Sequence, residues 1–308
     1  MRDGIINIYK EKGYTSFDVI AKLRGILKIR KIGHTGTLDP DAEGVLPVCI
    51  GKATKVCGLL TDKDKEYVAV LRLGIVTDTQ DLSGAVRKEA AVDVGVEQVR
   101  EAVNRFVGDY MQTPPMYSAL KVNGKKLCDL AREGITVERL PRPVTIYQIE
   151  ILDMELPRVT LRVVCSKGTY IRTLCHDIGE VLGCGGCMES LVRTRVVSFS
   201  ANGDCFGEFS IEKALRLSQV EEMVRQGTWE EALVPVEEVF SLYEKAVVAE
   251  PYDRLLHNGN RLQKEHFRDY RASWEDECVR VYDAADNFIG IYGYQSDHNN
   301  YKPVKLFL

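Results

Sequence analysis

Val19, Ile20, Leu23, Ile26 and Leu27 fall on one stripe at helical spacing, directly after Thr15-Ser16-Phe17-Asp18, which has the form of a capping box. The pattern predicts a surface helix over residues 16–28 with Lys22, Arg24 and Lys28 turned to solvent. It runs into a glycine-punctuated loop, Gly33-His34-Thr35-Gly36-Thr37-Leu38-Asp39-Pro40. Glu66-Tyr67-Val68-Ala69-Val70-Leu71-Arg72-Leu73-Gly74 reads as a buried strand ended by glycine. Residues 96–107 read as a helix. Gln112-Thr113-Pro114-Pro115-Met116-Tyr117 must be loop, because neither proline has a backbone N–H to donate.

Residues 159–165 alternate as a strand does, and Ser166-Lys167-Gly168-Thr169 turns the chain into a helix over residues 170–182. That helix points Ile171, Leu174, Ile178 and Leu182 inward. Residues 211–233 read as helical in two pieces. Near Pro235 the pattern changes to short strands, at 279–283, 288–292 and 302–308. The division expected is a mixed α/β body over residues 1–235 and a small β-rich module over 236–308.

Composition narrows the class. The chain of 308 residues is 45% apolar and 28% charged, ordinary for a globular protein, and has no apolar run of the roughly 18 residues that a membrane helix needs. No signal-peptide core follows Met1, so a cytoplasmic location is expected. The 9 cysteines are odd in number and scattered, as expected of small buried side chains in a reducing compartment. The net charge of -4 resides in residues 235–308, with 13 acids against 9 bases, so the body is balanced. Within it, Lys22, Arg24, Lys28, Arg30, Lys31 and His34 occur between Val19 and Leu38 with no acid among them, compatible with a local phosphate contact.

Asp39, fixed on one side by a proline on a glycine-rich loop beside a histidine, suits a nucleophile toward a sugar or a base. Composition alone favours a decorated turn. The segment is no calcium loop, since Pro40 takes the second position and Ile50 the twelfth, and no phosphate-binding loop, since Ala53 follows Gly51-Lys52. Cys175-His176 and the Cys184-x-x-Cys187 pair are a weak basis for a metal site, so none is expected. Tyr67, Tyr117 and Tyr170 stand at element ends near Lys65, Lys121 and Arg172. An enzyme acting on a base in folded RNA needs such flat surfaces to stack it on, although any single one reads more readily as core.

Taken together, Gly33-His34-Thr35-Gly36-Thr37-Leu38-Asp39-Pro40 with Ala42, Gly44, Leu46 and Pro47 closely resembles the catalytic motif of the TruB family, the tRNA pseudouridine-55 synthases. Four further stretches match it in order: Asp64-Lys65-Glu66-Tyr67, Thr77-Asp78-Thr79-Gln80-Asp81, Pro114-Pro115-Met116-Tyr117-Ser118-Ala119-Leu120-Lys121 and Ser166-Lys167-Gly168-Thr169-Tyr170-Ile171-Arg172-Thr173. The resemblance spans residues 3–200, and departs from the family in having Cys187 where a histidine is expected. It implies a pseudouridine synthase domain built on a long, mostly antiparallel sheet with a central cleft, followed by a PUA-like module. It implies Asp39 as nucleophile and Arg172 as its ion-pair partner. Tyr67 would stack on the flipped uracil and help at its C5 proton, while Tyr170 and Leu191 line the base pocket. His34 would fill the space the nucleotide leaves, with Asp81 and Lys121 as further substrate contacts. The partner implied is the T arm of tRNA, with no small-molecule cofactor and a monomeric chain.

The chemistry is consistent with this: the reaction breaks an N-glycosidic bond, turns the uracil and rejoins it through C5, with no net redox change and no hydrolysis. Burial raises a carboxyl pKa and an arginine lowers it; we expect Arg172 to prevail and Asp39 to be anionic at neutral pH. Whether Asp39 attacks C6 or C1′ stays open. Two other readings stay open as well, a non-catalytic tRNA-folding factor and a guide-dependent enzyme within a ribonucleoprotein. Intact Asp39 and Arg172 speak against the first, and the long segment between Val68 and Pro114 against the second.

Overall fold

Alternation of apolar and polar positions becomes one large sheet in the computed structural model, which describes residues 3–122, 124–199, 205–275 and 278–308. In chain order the elements of the body open with β1 (Gly4–Lys10), α1 (Ser16–Leu27), β2 (Ile32–His34), β3 (Glu43–Ile50), α2 (Cys57–Thr61), β4 (Asp64–Leu73), β5 (Ile75–Thr77) and β6 (Val86–Glu89). There follow α3 (Val96–Asn104), β7 (Gly108–Gln112), β8 (Lys121–Val122), β9 (Lys125–Lys126), α4 (Leu127–Arg132), β10 (Arg142–Glu155) and β11 (Arg158–Cys165). The body closes with α5 (Ile171–Val181), β12 (Gly186–Phe199), β13 (Cys205–Ser210) and α6 (Leu217–Gln226). The sheet runs β1-β3-β12-β4-β11-β10-β7, with β13 added to β12 and β2 to β3. Its pairs are antiparallel except β3 with β12.

The predicted strand over 66–74 is β4, whose inward positions alternate strictly and which stops where Gly74 takes φ +83°. Helix α1 starts at the predicted capping box, where the Thr15 hydroxyl accepts from the Asp18 amide and the Asp18 carboxylate accepts from the Thr15 amide. It buries Val19, Ile20 and Leu23 against Ile6 and Ile8 of β1, Leu46 and Val48 of β3, and Leu217 and Val220 of α6. Each such side chain taken out of water contributes about 1.5–3 kcal/mol. Helix α5 buries Ile171, Leu174 and Ile178 against Leu71 of β4 and Leu161 and Val163 of β11. That packing fixes its N-terminal end beside the loop between β2 and β3.

Residues 211–233 depart from the expectation of two helical pieces. Only α6 is an α-helix, flanked by short 3-10 turns at Ile211–Lys213 and Trp229–Ala232. The outer edge of β1 is the reason: Tyr9 donates to Leu215 O, and the Leu215 amide donates to Asn7 O, so the chain is drawn out along that strand.

The C-terminal elements are β14 (Lys245–Val247), α7 (Asp253–His257), β15 (Cys278–Tyr282), β16 (Phe288–Gln295) and β17 (Asn300–Leu306). The four strands form a separate sheet in that order over a core that includes Val248, Trp274, Val281, Tyr292 and Tyr301. β14, three residues long, carries no sequence pattern and was not anticipated. Phe240, Phe288 and Phe307 meet in one aromatic group and pack onto Ile5, Val45 and Val56, joining this sheet to the body. Among the described residues no helix is long and apolar enough to cross a membrane.

Candidate active site

Asp39 lies on the β2–β3 loop, which the surrounding structure anchors at several points. Thr35 donates from both its amide and its hydroxyl to Pro47 O, and the Leu38 amide donates to the Ser16 hydroxyl at the start of α1. The amide of Gly13 donates to Pro40 O at 2.9 Å. Beneath the loop the buried Lys10 ammonium donates to Ala42 O at 2.6 Å and Pro40 O at 3.1 Å, gripping the backbone on the C-terminal side of Asp39. Burial brings that ammonium down to about 8, against the pull of Glu43 and Asp39. Lys10 gave no signal in the sequence, where it is one base at the end of an apolar strand.

Gly44 closes the loop under a close approach. It has φ +104°, and a Cβ there would lie 2.2 Å from the carbonyl oxygen of Arg193, its partner on β12. Gly44→Ala is therefore expected to lose more than about 3 kcal/mol of stability in urea denaturation, from strained backbone plus a clash that paired strands have no room to relieve. An unchanged midpoint would contradict the geometry.

Arg172, in the first turn of α5, reaches Asp39 across 133 positions of sequence. Nε lies 3.0 Å from Oδ2, and Nη2 donates to Oδ1 at 3.3 Å, a two-point fork. Its remaining donors are also taken: Nη2 to Tyr117 O at 2.7 Å, Nη1 to Thr79 O at 3.2 Å, and Nη1 to the Asp81 carboxylate at 3.5 Å. Asp81 is itself held by the hydroxyls of Thr79 and Ser83 and the Ser83 amide. One guanidinium thus serves two carboxylates and two carbonyls. Its side chain is 7% exposed, while that of Asp39 is 39% exposed, so the arginine is locked and the acid keeps an open face.

The electrostatic balance runs opposite to the expectation that Arg172 prevails over burial. Burial raises the Asp39 carboxyl above its ordinary range and outweighs the lowering by Arg172; Asp81 pushes the same way and Lys10 opposes. The main reason is the burial of the carboxyl itself; Asp81, on the same guanidinium, adds a smaller push from its negative charge.

Tyr67 and Leu191 stand on one wall. Leu191 pairs with Ala69 and Arg193 with Tyr67 across β12 and β4, and both predicted residues are buried. Tyr67 is 9% exposed, so it belongs to the core as well as to the site. Arg193 was missed. It is 1% exposed, and its Nε donates to Val45 O at 2.7 Å and Nη2 to Gly36 O at 3.4 Å, under the Asp39 loop. The signal available was alternation, because Arg193 is two positions from Leu191 and shares its inward face.

Tyr170 caps α5, with its amide donating to the Gln112 side chain at 2.7 Å and its carbonyl accepting from the same side chain at 3.0 Å. As the N-cap of α5 it stands two positions before Arg172, at the same helix end that meets Asp39. His34, half-buried, accepts from the Gly36 amide at Nδ1; burial and then Arg193 lower its pKa and favour the neutral ring. It lines a groove of about 520 Å³ with Phe17, Arg24, Arg30 and Lys31, which places the basic stretch beside the Asp39 loop. Lys121 stands exposed on β8, and no hydrogen bond or ion pair among the described residues ties it to Asp39 or Arg172. Among the described residues no three His, Cys, Asp or Glu side chains gather as metal ligands would.

This architecture has close counterparts among solved structures. The chain superposes on one in the Cbf5-Nop10-Gar1 complex with a TM-score of 0.71 and 28% identity, over 99% of this chain and 85% of that one. A chain of an H/ACA RNP bound to a substrate RNA containing 2′-deoxyuridine gives 0.70 and 26%, over 99% and 85%. Residues 24–171 match the TruB family pseudouridylate synthase N-terminal domain, and residues 172–241 match the tRNA pseudouridylate synthase B C-terminal domain. The tRNA pseudouridine synthase B of Lachnoclostridium phytofermentans is 53% identical over 99% of this chain and 100% of its own. That of Clostridium tetani is 43% identical over 99% and 100%. The chain belongs to the TruB family of pseudouridylate synthases.

Proposed function

We propose that this protein converts the uridine at position 55 in the T arm of tRNA to pseudouridine, with Asp39 as nucleophile, as a cytoplasmic monomer that needs no cofactor. One observation carries the reading: Asp39 is held at two points by a locked Arg172 while keeping an open face, beside the wall of Leu191 and Tyr67. A nucleophile held in place needs little reorganisation to reach the sugar or the ring of an extruded uridine. Tyr67 and Leu191 then flank the detached uracil while it turns, Tyr170 closes the pocket, and His34 occupies the gap left in the RNA. Asp81 supports the arginine, and Lys121, apart from the acid, meets RNA phosphate. Residues 1–235 act as the catalytic domain and residues 236–308 as a PUA-like RNA-binding module. The identities of 53% and 43% to enzymes named for tRNA, against 26% to a chain of an H/ACA RNP, support action on tRNA without a guide.

The test uses purified protein and an unmodified tRNA transcript, with no guide RNA or partner, followed by mapping of pseudouridine at single-nucleotide resolution. Modification at position 55 is expected. A transcript left unmodified, or modified elsewhere, would overturn the proposal. The pH dependence follows from the site: since burial holds the Asp39 carboxyl above its ordinary value, its anion forms only at correspondingly higher pH. The acidic limb of the single-turnover rate should accordingly lie above the ordinary carboxylate range. A limb at or below that range would contradict the balance described for Asp39.

A further inference from the structure

Arg193 is a buried cation without an acid. Among the described residues no carboxylate lies within ion-pair distance of it, and its backbone partners are Val45 O near the start of β3 and Gly36 O of the loop before it. A charge so placed is costly unless something compensates it. In register it stands between Gly44 of β3 and Tyr67 of β4. The next residue, Thr194, falls where the β12–β4 register slips, a bulge of the kind that re-aims side chains next to active sites. Directly opposed side chains in an antiparallel pair are neighbours, so the Tyr67 phenol is the ionisable group the guanidinium faces.

We propose that Arg193 is a positioning residue for the reaction, donating to the Tyr67 hydroxyl oxygen from below and holding that oxygen as the acceptor of the uracil C5 proton. The proposal rests on the reading of Tyr67 beside the base. When C1′ joins C5, the C5–H bond breaks, its electron pair returns to the ring, and the proton passes to the Tyr67 phenolate, giving the phenol. The phenol releases it to solvent while N1 takes one up, so a turnover is neutral in protons. Burial holds the Tyr67 phenol above its ordinary value, and Arg193 is the strongest influence drawing it back down, so without the arginine the phenolate would be scarcer still. Tyr67 in turn offsets the desolvation of Arg193.

The experiment places 3,5-difluorotyrosine, whose phenol titrates near neutrality, at position 67 and follows it by fluorine NMR in the RNA-free protein. Arg193→Gln, which keeps an amide donor but no charge, is expected to raise the titration midpoint by about one unit or more, tenfold in acid constant. Arg193→Lys keeps a cation without the planar fork and should fall between wild type and Arg193→Gln. In unlabelled protein, Arg193→Gln should slow single-turnover pseudouridine formation about tenfold at neutral pH, with the deficit shrinking as pH rises and tRNA affinity within about threefold. An arginine that only braced the loop through Val45 O and Gly36 O would leave the midpoint unmoved, and one that touched the phenol without serving proton transfer would leave the rate and the shape of its pH profile unmoved. Equal midpoints in wild type and Arg193→Gln would overturn the proposal. Should Arg193→Gln fail to fold by circular dichroism, Arg193→Lys decides, and an unmoved midpoint there overturns it equally. The titration needs no substrate, so its outcome is separate from the fate of the tRNA assignment.

Discussion

Asp39→Asn is expected to lower the single-turnover rate of pseudouridine formation by about 10,000-fold or more while leaving tRNA affinity within about threefold. Asparagine has nearly the shape of aspartate and can still accept from Arg172, but its amide has no anionic oxygen with which to form the bond. Binding should survive because the rest of the site is positioned without Asp39. The loop is held by Lys10, Thr35 and Leu38, and Arg172 keeps Asp81, Thr79 O and Tyr117 O. Stability should change by no more than about 1 kcal/mol, since the Asp39 side chain is 39% exposed. A variant that kept a tenth of the wild-type rate would remove Asp39 from the role of nucleophile.

Arg172→Met is the second large effect, and it should appear in both stability and rate. The guanidinium is buried and satisfies two carboxylates and two carbonyls; its loss leaves Asp81, 17% exposed, without its cation. Breaking such a buried pair costs about 3–5 kcal/mol, readable in urea denaturation. The rate should fall by about 100-fold or more, because Asp39 loses its aim and its carboxyl moves further up. Arg172→Lys should rescue little, since a point-like ammonium has no planar fork to span Asp39 and Asp81 together. A lysine variant with wild-type rate and stability would show that the fork geometry is immaterial.

The sequence was most informative where period and chemistry coincide. The capping box at Thr15, the stripe of α1, the alternation of β4 and β11, and the inward face of α5 all appear within one or two residues of where they were expected. Asp39 and Arg172 were legible through the motifs around them, although nothing in their spacing says that α5 brings them together. What escaped was set by tertiary context. The extended run at Leu215 exists because β1 has a free edge, and β14 because β15 offers one to three residues without a pattern. Lys10 and Arg193 lie in segments for which no element was expected; alternation with Leu191 was the one signal for Arg193, and the folded sheet turns both inward beneath the loop. The balance at Asp39 has the same origin, since only the folded loop shows how deeply the carboxyl is buried.

The most direct measurement is a crystal structure of the Asp39→Asn protein bound to a T-arm stem-loop RNA. The account predicts uridine 55 swung out of the stack, its uracil between Tyr67 and Leu191, and C1′ or C6 within about 3.5 Å of the residue 39 side chain. A uridine still stacked in the RNA, or a base lodged away from residues 39 and 172, would contradict it.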